Sequence, residues 1–244
     1  AKYVQLLIDA GATTKTKMLN QMIKADSIFL GEGKAILIEE FGKDYGNYFS
    51  ILSAIARGKT SRSEIENVIG KEIGGYLTKL EKEYEMIAKR QPIFEKNSTK
   101  NVRYTIKDNF FTFWFRFIYK YNYMLEIENY DAVKTIINQD YETFSGLMLE
   151  RYFKQMLIES KEYTRVGSWW DRKGENEIDI VAENELNDNA VFIEVKRKSD
   201  NFDPGALNNK AATFLRATGK FKNYTISRKG LSMSDMESAT LNLS

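Results

Sequence analysis

The spacing of apolar residues changes near residue 162, and this change constrains the fold more than any other feature. Before it, apolar side chains recur at helical spacing, and after it three runs are typical of β-strands. Pro204 then opens another helix, and a fourth strand-like run follows. The segments are "DYETFSGLMLERYFKQMLIES", "YTRVGSWW", "EIDIVAENE", "AVFIEVKRK", "GALNNKAATFLRATG" and "FKNYTISR". Their order predicts α-β-β-β-α-β, a small mixed sheet flanked by helices.

Residues 46–107 predict three helices followed by a β-hairpin. Gly58 and Gly70 end the first two helices, and Thr60 or Ser61 caps the second. The segments are "NYFSILSAIARG", "SRSEIENVIG", "EIGGYLTKLEKEYEMI", "MIAKRQPIFE" and "VRYTI". This order is typical of a winged helix-turn-helix, in which the third helix can enter a major groove and the hairpin can touch phosphates.

We therefore predict an α/β (α+β) chain of three parts. Residues 1–45 contain two or three short helices, too few to form a core by themselves. Residues 46–107 form the winged helix, and residues 108–244 form the sheet domain. The third part opens with the aromatic-rich "DNFFTFWFRFIYKYNY", which predicts a helix packed between domains. Stacking of bases on exposed rings is the alternative.

The winged-helix segment is the basic part of the chain, with twelve basic and seven acidic side chains. This excess favours a contact with nucleic acid. The candidates on the third helix and the hairpin are Lys71, Tyr76, Lys79, Lys82, Lys89, Arg90, Lys96, Lys100 and Arg103. Glu81, Glu83 and Glu85 on the same predicted helix would repel phosphate. The alternative is a module that only packs against neighbouring domains.

Cysteine and histidine are both absent, which excludes disulfides, thiol nucleophiles and Ser-His-Asp catalysis. The usual zinc ligands are missing as well, so carboxylates and carbonyls would have to hold any metal, which favours magnesium, manganese or calcium. No run of about 18 apolar residues and no signal peptide is visible, so we expect a cytoplasmic location without a membrane span. The first residue, Ala1, suggests an excised fragment.

Two predicted strands carry acidic residues where a plain core strand would carry none. Asp179 lies between Ile178 and Ile180, and "EVK" begins at Glu194. Because side chains alternate along a strand, we expect the two isoleucines on one face and Asp179 on the other. Pairing of the strands as a hairpin would let Asp179 and Glu194 project from the same side of the sheet.

The long helix before the sheet carries a similar anomaly. Glu150 falls in an apolar stripe with Leu147, Phe153 and Leu157, where a carboxylate is costly unless it has a partner. The helix should pack on the sheet, so Glu150 is expected to approach the two strand acids.

These residues predict a metal-dependent site for phosphodiester hydrolysis. Asp179 and Glu194 would bind Mg²⁺ or Mn²⁺ with the carbonyl of Val195, and Glu150 would assist. Lys196 would orient a water or contact the phosphate. Arg172 and Lys198 are further candidates for phosphate contacts. The alternative is that "EVK" is an ordinary solvated strand face.

The same residues resemble the PD-(D/E)XK nuclease superfamily, whose core is α-β-β-β-α-β with a helix Glu, a strand Asp and an (Asp/Glu)-X-Lys strand. Glu150, Asp179 and Glu194-Val195-Lys196 match these positions. No Pro precedes Asp179, although that Pro is often absent in the superfamily. The resemblance implies an ancestral nuclease site and leaves its activity open.

A narrower resemblance covers nearly the whole chain and is strongest over residues 46–198. "YFSILSAIARGKTSRSEIENVIG", "GGYLTKLEKEYEMI", "QPIF", "YTIKDNFFTFWFRFIY", "VGSWWD" and "NEIDIVA" are similar to the C-terminal half of archaeal-type AAA+ ATPases. These proteins carry an N-terminal P-loop domain, a helical lid, a winged helix and a nuclease-fold domain. No Gly-x4-Gly-Lys-Ser/Thr motif occurs here, so residues 1–45 would be the lid remnant and the fragment would bind no ATP.

Three hypotheses about function are consistent with the predicted domains and site. The first is an enzyme module, in which the winged helix delivers DNA to a magnesium-dependent nuclease domain gated by the ATPase domain of the parent protein. The second is a non-catalytic module that binds DNA or protein and keeps a relic of the acidic site. The third is a regulatory interaction surface for the ATPase. DNA is the expected partner in the first reading.

Overall fold

The computed structural model of the chain describes residues 2–95 and 100–237. The helices and strands are α1 (Lys2–Asp9), α2 (Lys15–Met22), α3 (Ile28–Phe41), α4 (Tyr45–Ala56), α5 (Arg62–Ile69), α6 (Gly74–Lys82), β1 (Ile87–Arg90), β2 (Arg103–Ile106), α7 (Asn109–Phe113), α8 (Asn122–Glu126), α9 (Tyr130–Ser160), β3 (Arg165–Trp170), β4 (Glu177–Asn184), β5 (Asn189–Val195), α10 (Pro204–Thr218) and β6 (Thr225–Leu231). A π-helical segment, Trp114–Tyr119, follows α7. The mixture of helices and sheets confirms the predicted α+β class.

The two element orders predicted from the sequence are both present. Three helices, α4 to α6, precede the β1–β2 hairpin, and α9, β3, β4, β5, α10 and β6 follow as α-β-β-β-α-β. The four-stranded sheet has the order β3-β4-β5-β6. Its first two pairings are antiparallel, while β6 runs parallel to β5 after the α10 crossover.

Local sequence signals explain several helix ends. Ser61 caps α5 in a capping box, because its Oγ accepts from the Glu64 N–H at 3.3 Å while Glu64 accepts from the Ser61 N–H at 3.0 Å. Gly70 ends the helix with a φ of +76°, a conformation that costs glycine little. Asp203 caps α10, and Pro204 occupies its first turn as predicted.

The third helix is shorter than its sequence predicts. It ends at Lys82, and the chain turns at Glu85, whose φ is +52°. Glu83 and Glu85 therefore lie beyond α6, and only Glu81 of the three predicted acids is part of it. The last strand is also displaced, since β6 begins at Thr225 rather than near Phe221.

The chain divides into two compact units. The first comprises the residues up to Lys89 together with Arg103–Tyr141, and the second comprises Arg90–Val102 and the chain from Glu142 onward. These limits differ from the expected ones, because position 108 falls inside the first unit and the 90–102 segment belongs to the second. The functional identity of the three predicted parts stays a prediction.

The aromatic segment after β2 is buried within the first unit. Trp114, Phe115 and Phe117 are each no more than 2% exposed. Phe49 of α4 meets Trp114 and Phe115 edge-on, with ring centroids 5.9 and 5.4 Å apart. Arg116 donates to the Ala56 carbonyl at 2.8 Å. These buried rings act in packing and are not available for base stacking.

The sheet of the second unit is covered on both faces. On one face, Phe153 and Leu157 of α9 pack against Ile180 and Ile193. On the other, residues of α10 pack against β4 and β5; this core includes Val181, Phe192, Leu207, Ala211 and Phe214. Burying each large apolar side chain contributes about 1.5–3 kcal/mol, so the two layers fix the sheet between the helices.

A bulge interrupts β4 at Asp179 and Ile180. Gly167 pairs with Val181 and Trp169 pairs with Ile178, so β4 has two residues where β3 has only Ser168. The extra residue breaks the alternation of side chains along β4. As a result Ile180 joins the α9-side core while Ile178 joins the α10-side core. The prediction that both isoleucines share one face is therefore wrong.

The segment after β1 is joined to β3 at both of its ends. The Ile93 N–H donates to the Ser168 carbonyl at 2.8 Å, and Trp170 Nε1 donates to Asn101 Oδ1 at 2.8 Å. Gly167 permits this approach, because a Cβ there would lie 2.8 Å from the Cβ of Ile93. The start of the 90–102 segment is thereby held beside β3.

Candidate active site

The four residues predicted from the sequence as catalytic lie together in the second unit. Glu150 comes from α9, Asp179 from the bulge in β4, Glu194 from β5, and Lys196 from the residue after β5 ends. Their charges act on one another, and Glu177 at the start of β4 adds a further charge. We call the four acids, Glu150, Glu177, Asp179 and Glu194, the acidic cluster.

Asp179 is held at the open end of the β4–β5 hairpin. Regular pairing stops at Ile180 and Ile193, and the Val195 N–H donates instead to Asp179 Oδ2 at 2.7 Å. Burial and then the charge of Glu194 raise the pKa of Asp179 to about 6, although this hydrogen bond opposes the shift. Val195 was expected to offer its carbonyl to a metal, and the structure adds a role for its N–H.

The pKa shift of Glu150 is larger than that of Asp179. Burial and the charges of Asp179 and Glu177 raise the pKa of Glu150 to about 8. Its helical position beside the buried Phe153 explains the lost hydration. Burial is the largest cause of both pKa shifts, and repulsion between the carboxyls adds to it; a divalent cation would remove that repulsion.

Glu194 is 94% buried, and its carboxylate has hydrogen-bond donors within reach. Lys196 donates to its Oε1 at 2.8 Å, and Lys210 donates to both carboxylate oxygens at 2.8 and 2.9 Å. Partial burial alone would lower the pKa of Lys196, but the hydrogen bond and the surrounding acids raise it above its ordinary value. The carboxylate of Glu194 is therefore neutralised by two lysines.

Lys210, like Glu177, was not predicted from the sequence as a site residue. It lies on α10, one turn from the buried Leu207 and Phe214, so it falls on the apolar stripe that faces the sheet. A basic residue in an apolar stripe is the same kind of signal that identified Glu150. Its partner, 16 residues earlier, was not visible from the sequence.

The donor set fits a divalent metal in part. Asp179 and Glu150 supply carboxyls with excess negative charge, whereas the lysines occupy the oxygens of Glu194. Within residues 2–95 and 100–237, no three acidic side chains are arranged to enclose a metal ion. A cation at this site would therefore require Lys210 or Lys196 to release Glu194.

The predicted nucleic-acid contacts differ in exposure. Lys71, Lys79, Lys82, Lys89, Arg90 and Lys100 are exposed, Tyr76 and Arg103 are half-buried, and Lys96 lies outside the described residues. Tyr76 accepts a hydrogen bond from Asn47 at 2.9 Å and meets Tyr48 edge-on, so it takes part in packing. Lys71 also donates to Asn47. The phosphate candidates Arg172 and Lys198 are both exposed.

The acidic cluster lies in the part of the chain that matches a known protein family. Residues 114–213 match the DUF234 family, described as archaea bacterial proteins of unknown function. That stretch contains Glu150, Asp179, Glu194, Lys196 and Lys210. A protein of Methanocaldococcus jannaschii described as uncharacterized is 35% identical over 190 residues, which are 74% of this chain and 42% of the relative. The chain thus spans less than half of that relative's length. No solved structure matches.

No helix among the described residues combines the length and the apolar character that crossing a bilayer requires.

Proposed function

We propose that the second unit is a PD-(D/E)XK-like domain that hydrolyses phosphodiesters of DNA with Mg²⁺ or Mn²⁺. The observation that carries this proposal is the convergence of Glu150, Asp179 and Glu194 with Lys196 on an α-β-β-β-α-β framework. Burial and mutual repulsion raise the pKa values of two of these acids, a perturbation that clusters at functional sites.

The residues of this site have separate roles in the proposed reaction. Asp179 and Glu194, with the carbonyl of Val195, would hold the cation, and Glu150 would add a carboxylate from the helix side. When bound, the cation supplies Lewis acidity and lowers the pKa of a coordinated water. Lys196 has a raised pKa, so it stays protonated at neutral pH and is suited to orient a water or to stabilise charge on a phosphate oxygen.

The first unit would guide DNA to this site as a winged helix. Its three helices and hairpin have the appropriate order, and exposed lysines lie on α6 and β1. The parent protein would carry a P-loop ATPase domain of the AAA+ type that this chain lacks, with residues 1–45 as its lid remnant. Partial coverage of the longer Methanocaldococcus relative is consistent with additional domains.

Cleavage assays test the enzymatic proposal. Wild-type protein should nick plasmid or cut single-stranded DNA with Mg²⁺ or Mn²⁺ and not with EDTA. Lys196→Ala should lower the rate about 10²–10⁴-fold, the range for losing one catalytic proton-transfer or charge-stabilising group. Equal cleavage by both proteins would point to a contaminating nuclease and remove the assignment.

A non-catalytic DNA- or protein-binding module is the second candidate. The observation that favours it is the pairing of Glu194 with both Lys196 and Lys210, which leaves this carboxylate without excess charge. Measurable DNA binding without cleavage under every metal condition would select this candidate. Absence of both activities would leave a regulatory contact with the ATPase domain.

A further inference from the structure

Lys154 lies on α9 one turn after Glu150 and has no role in the proposed chemistry. It is half-buried, and its Nζ donates to Ser168 Oγ on β3 at 3.1 Å. In the described part of the chain, no carboxylate lies within ion-pair distance of this ammonium group. A half-buried cation whose direct partner is a neutral hydroxyl is costly to retain without further compensation.

Arg90 lies near enough for its positive charge to act on Lys154. It ends β1 and is exposed, and the hydrogen bond between Ile93 and Ser168 holds the following segment beside β3. Burial and then the charge of Arg90 lower the pKa of Lys154 to about 8, while Glu150 opposes the shift. Arg90 itself forms no ion pair with the residues described.

The arrangement therefore joins two cations and a hydroxyl, and none of the described carboxylates forms an ion pair with either cation. Two like charges repel, and they repel more strongly where water is partly excluded. A phosphate group would reverse this balance, since its oxygens accept from an ammonium, a guanidinium and a hydroxyl at once. Ser168 lies opposite the bulge that carries Asp179, so the two sites share one stretch of sheet.

We propose that Lys154, Ser168 and Arg90 form a subsite for a backbone phosphate of a nucleic acid, next to the acidic cluster. The nature of the anion rests on the proposed function. The subsite would hold the phosphate that neighbours the one to be cut, which would fix the position of the strand before any metal binds.

Binding without metal tests the subsite. The probe is a fluorescently labelled single strand of about ten thymidines, and its anisotropy is titrated in EDTA over a series of KCl concentrations. Lys154→Met should weaken binding about five- to tenfold and reduce the slope of log affinity against log salt by about one, because one phosphate contact is lost. Arg90→Gln should reduce the slope by a similar amount.

Two controls separate a local contact from general charge. Lys222→Gln removes an exposed charge elsewhere in the second unit and should leave the slope unchanged. Lys154→Arg keeps the charge and should retain the slope. If Lys154→Met does not fold, the exposed Arg90 position still provides the test.

Several results would overturn the subsite. An unchanged slope in Lys154→Met and Arg90→Gln would do so, as would wild-type protein that does not bind the strand at low salt. Binding of inorganic phosphate that Lys154→Met abolishes, with strand binding unchanged, would assign the site to free phosphate instead. Absence of cleavage with Mg²⁺ bears only on the proposed function, because these measurements contain no metal.

Discussion

Two buried glutamates on neighbouring strands face opposite electrostatic situations. Glu183, on β4, is fully buried, accepts from Lys220 at 2.7 Å and from Tyr224 at 3.0 Å, and has Arg165 4.0 Å away. Glu194, on β5, also bonds to lysines but shares its surroundings with Asp179 and Glu150.

The contrast separates a structural ion pair from a candidate reaction centre. The carboxylate of Glu183 meets only positive and neutral donors. Burial and then the hydrogen bond to Glu183 raise the pKa of Tyr224 to about 12. At Glu194 two lysines offset one carboxylate, whereas burial and the neighbouring acids raise the pKa values of Asp179 and Glu150. Burial of an acid is thus uninformative by itself, and the balance of nearby charge distinguishes the two places.

The largest expected effect is on stability at the structural pair. Glu183→Gln should lower the free energy of unfolding by about 3 kcal/mol, because it breaks a buried pair. Glu194→Gln should cost about 1 kcal/mol or less, since losing a charge there also relieves repulsion of Asp179. Urea unfolding followed by tryptophan fluorescence measures both. Equal losses in the two variants would erase the proposed distinction.

The pH dependence of stability should come from the acidic cluster. The pKa of Glu150 is about 8 in the fold, above its ordinary value, so the folded protein holds a proton that the unfolded chain releases. The contribution of this proton to stability is therefore greatest below about pH 5 and is lost as pH rises to about 8. We expect a loss of a few kcal/mol, given about 1.4 kcal/mol per pKa unit.

Glu150→Gln provides the check on this assignment. It should reduce the loss of unfolding free energy between about pH 5 and about pH 8, as measured by urea unfolding. Tyr224→Phe should leave this pH dependence unchanged. A decline of unchanged size in Glu150→Gln would show that other groups cause it.

The smallest expected effect is stabilisation by Mn²⁺. At about ten times its dissociation constant the metal should add about 1.4 kcal/mol to stability. Asp179→Asn should abolish the rise in melting temperature, and Tyr224→Phe should retain it. Lys210→Met should bind Mn²⁺ more tightly than wild type, because Glu194 is freed from a competing cation. A weaker response in Lys210→Met would show that this lysine does not compete.

The sequence revealed the acidic cluster through residues that violate their local pattern. Asp179 stands in an apolar strand and Glu150 in an apolar helical stripe, so each can be found without knowledge of its partners. The order of elements then predicted their meeting, because consecutive strands joined by a short turn usually pair. The succession of helices and strands could be predicted for the same reason.

The remaining features depend on contacts between residues that are far apart in the sequence. Lys210 and Ser168 gain their roles from Glu194 and Lys154, and neither pair has a characteristic spacing. The contact between Ile93 and β3 needs Gly167, because a side chain at that position would clash with Ile93. Such contacts are set by packing in three dimensions and leave little trace in local periodicity.

The bulge in β4 has a consequence for length changes in this chain. The extra residue shifts the alternation of side chains by one position, so Ile178 and Ile180 face different helices. Deleting Asp179 would restore regular alternation, and Ile178, now next to Ile180, would still face α10. The packing of both cores should therefore tolerate this deletion, which would remove only the carboxyl that joins the acidic cluster. A homologous chain without the bulge should keep the sheet and lose the strand acid of the cluster.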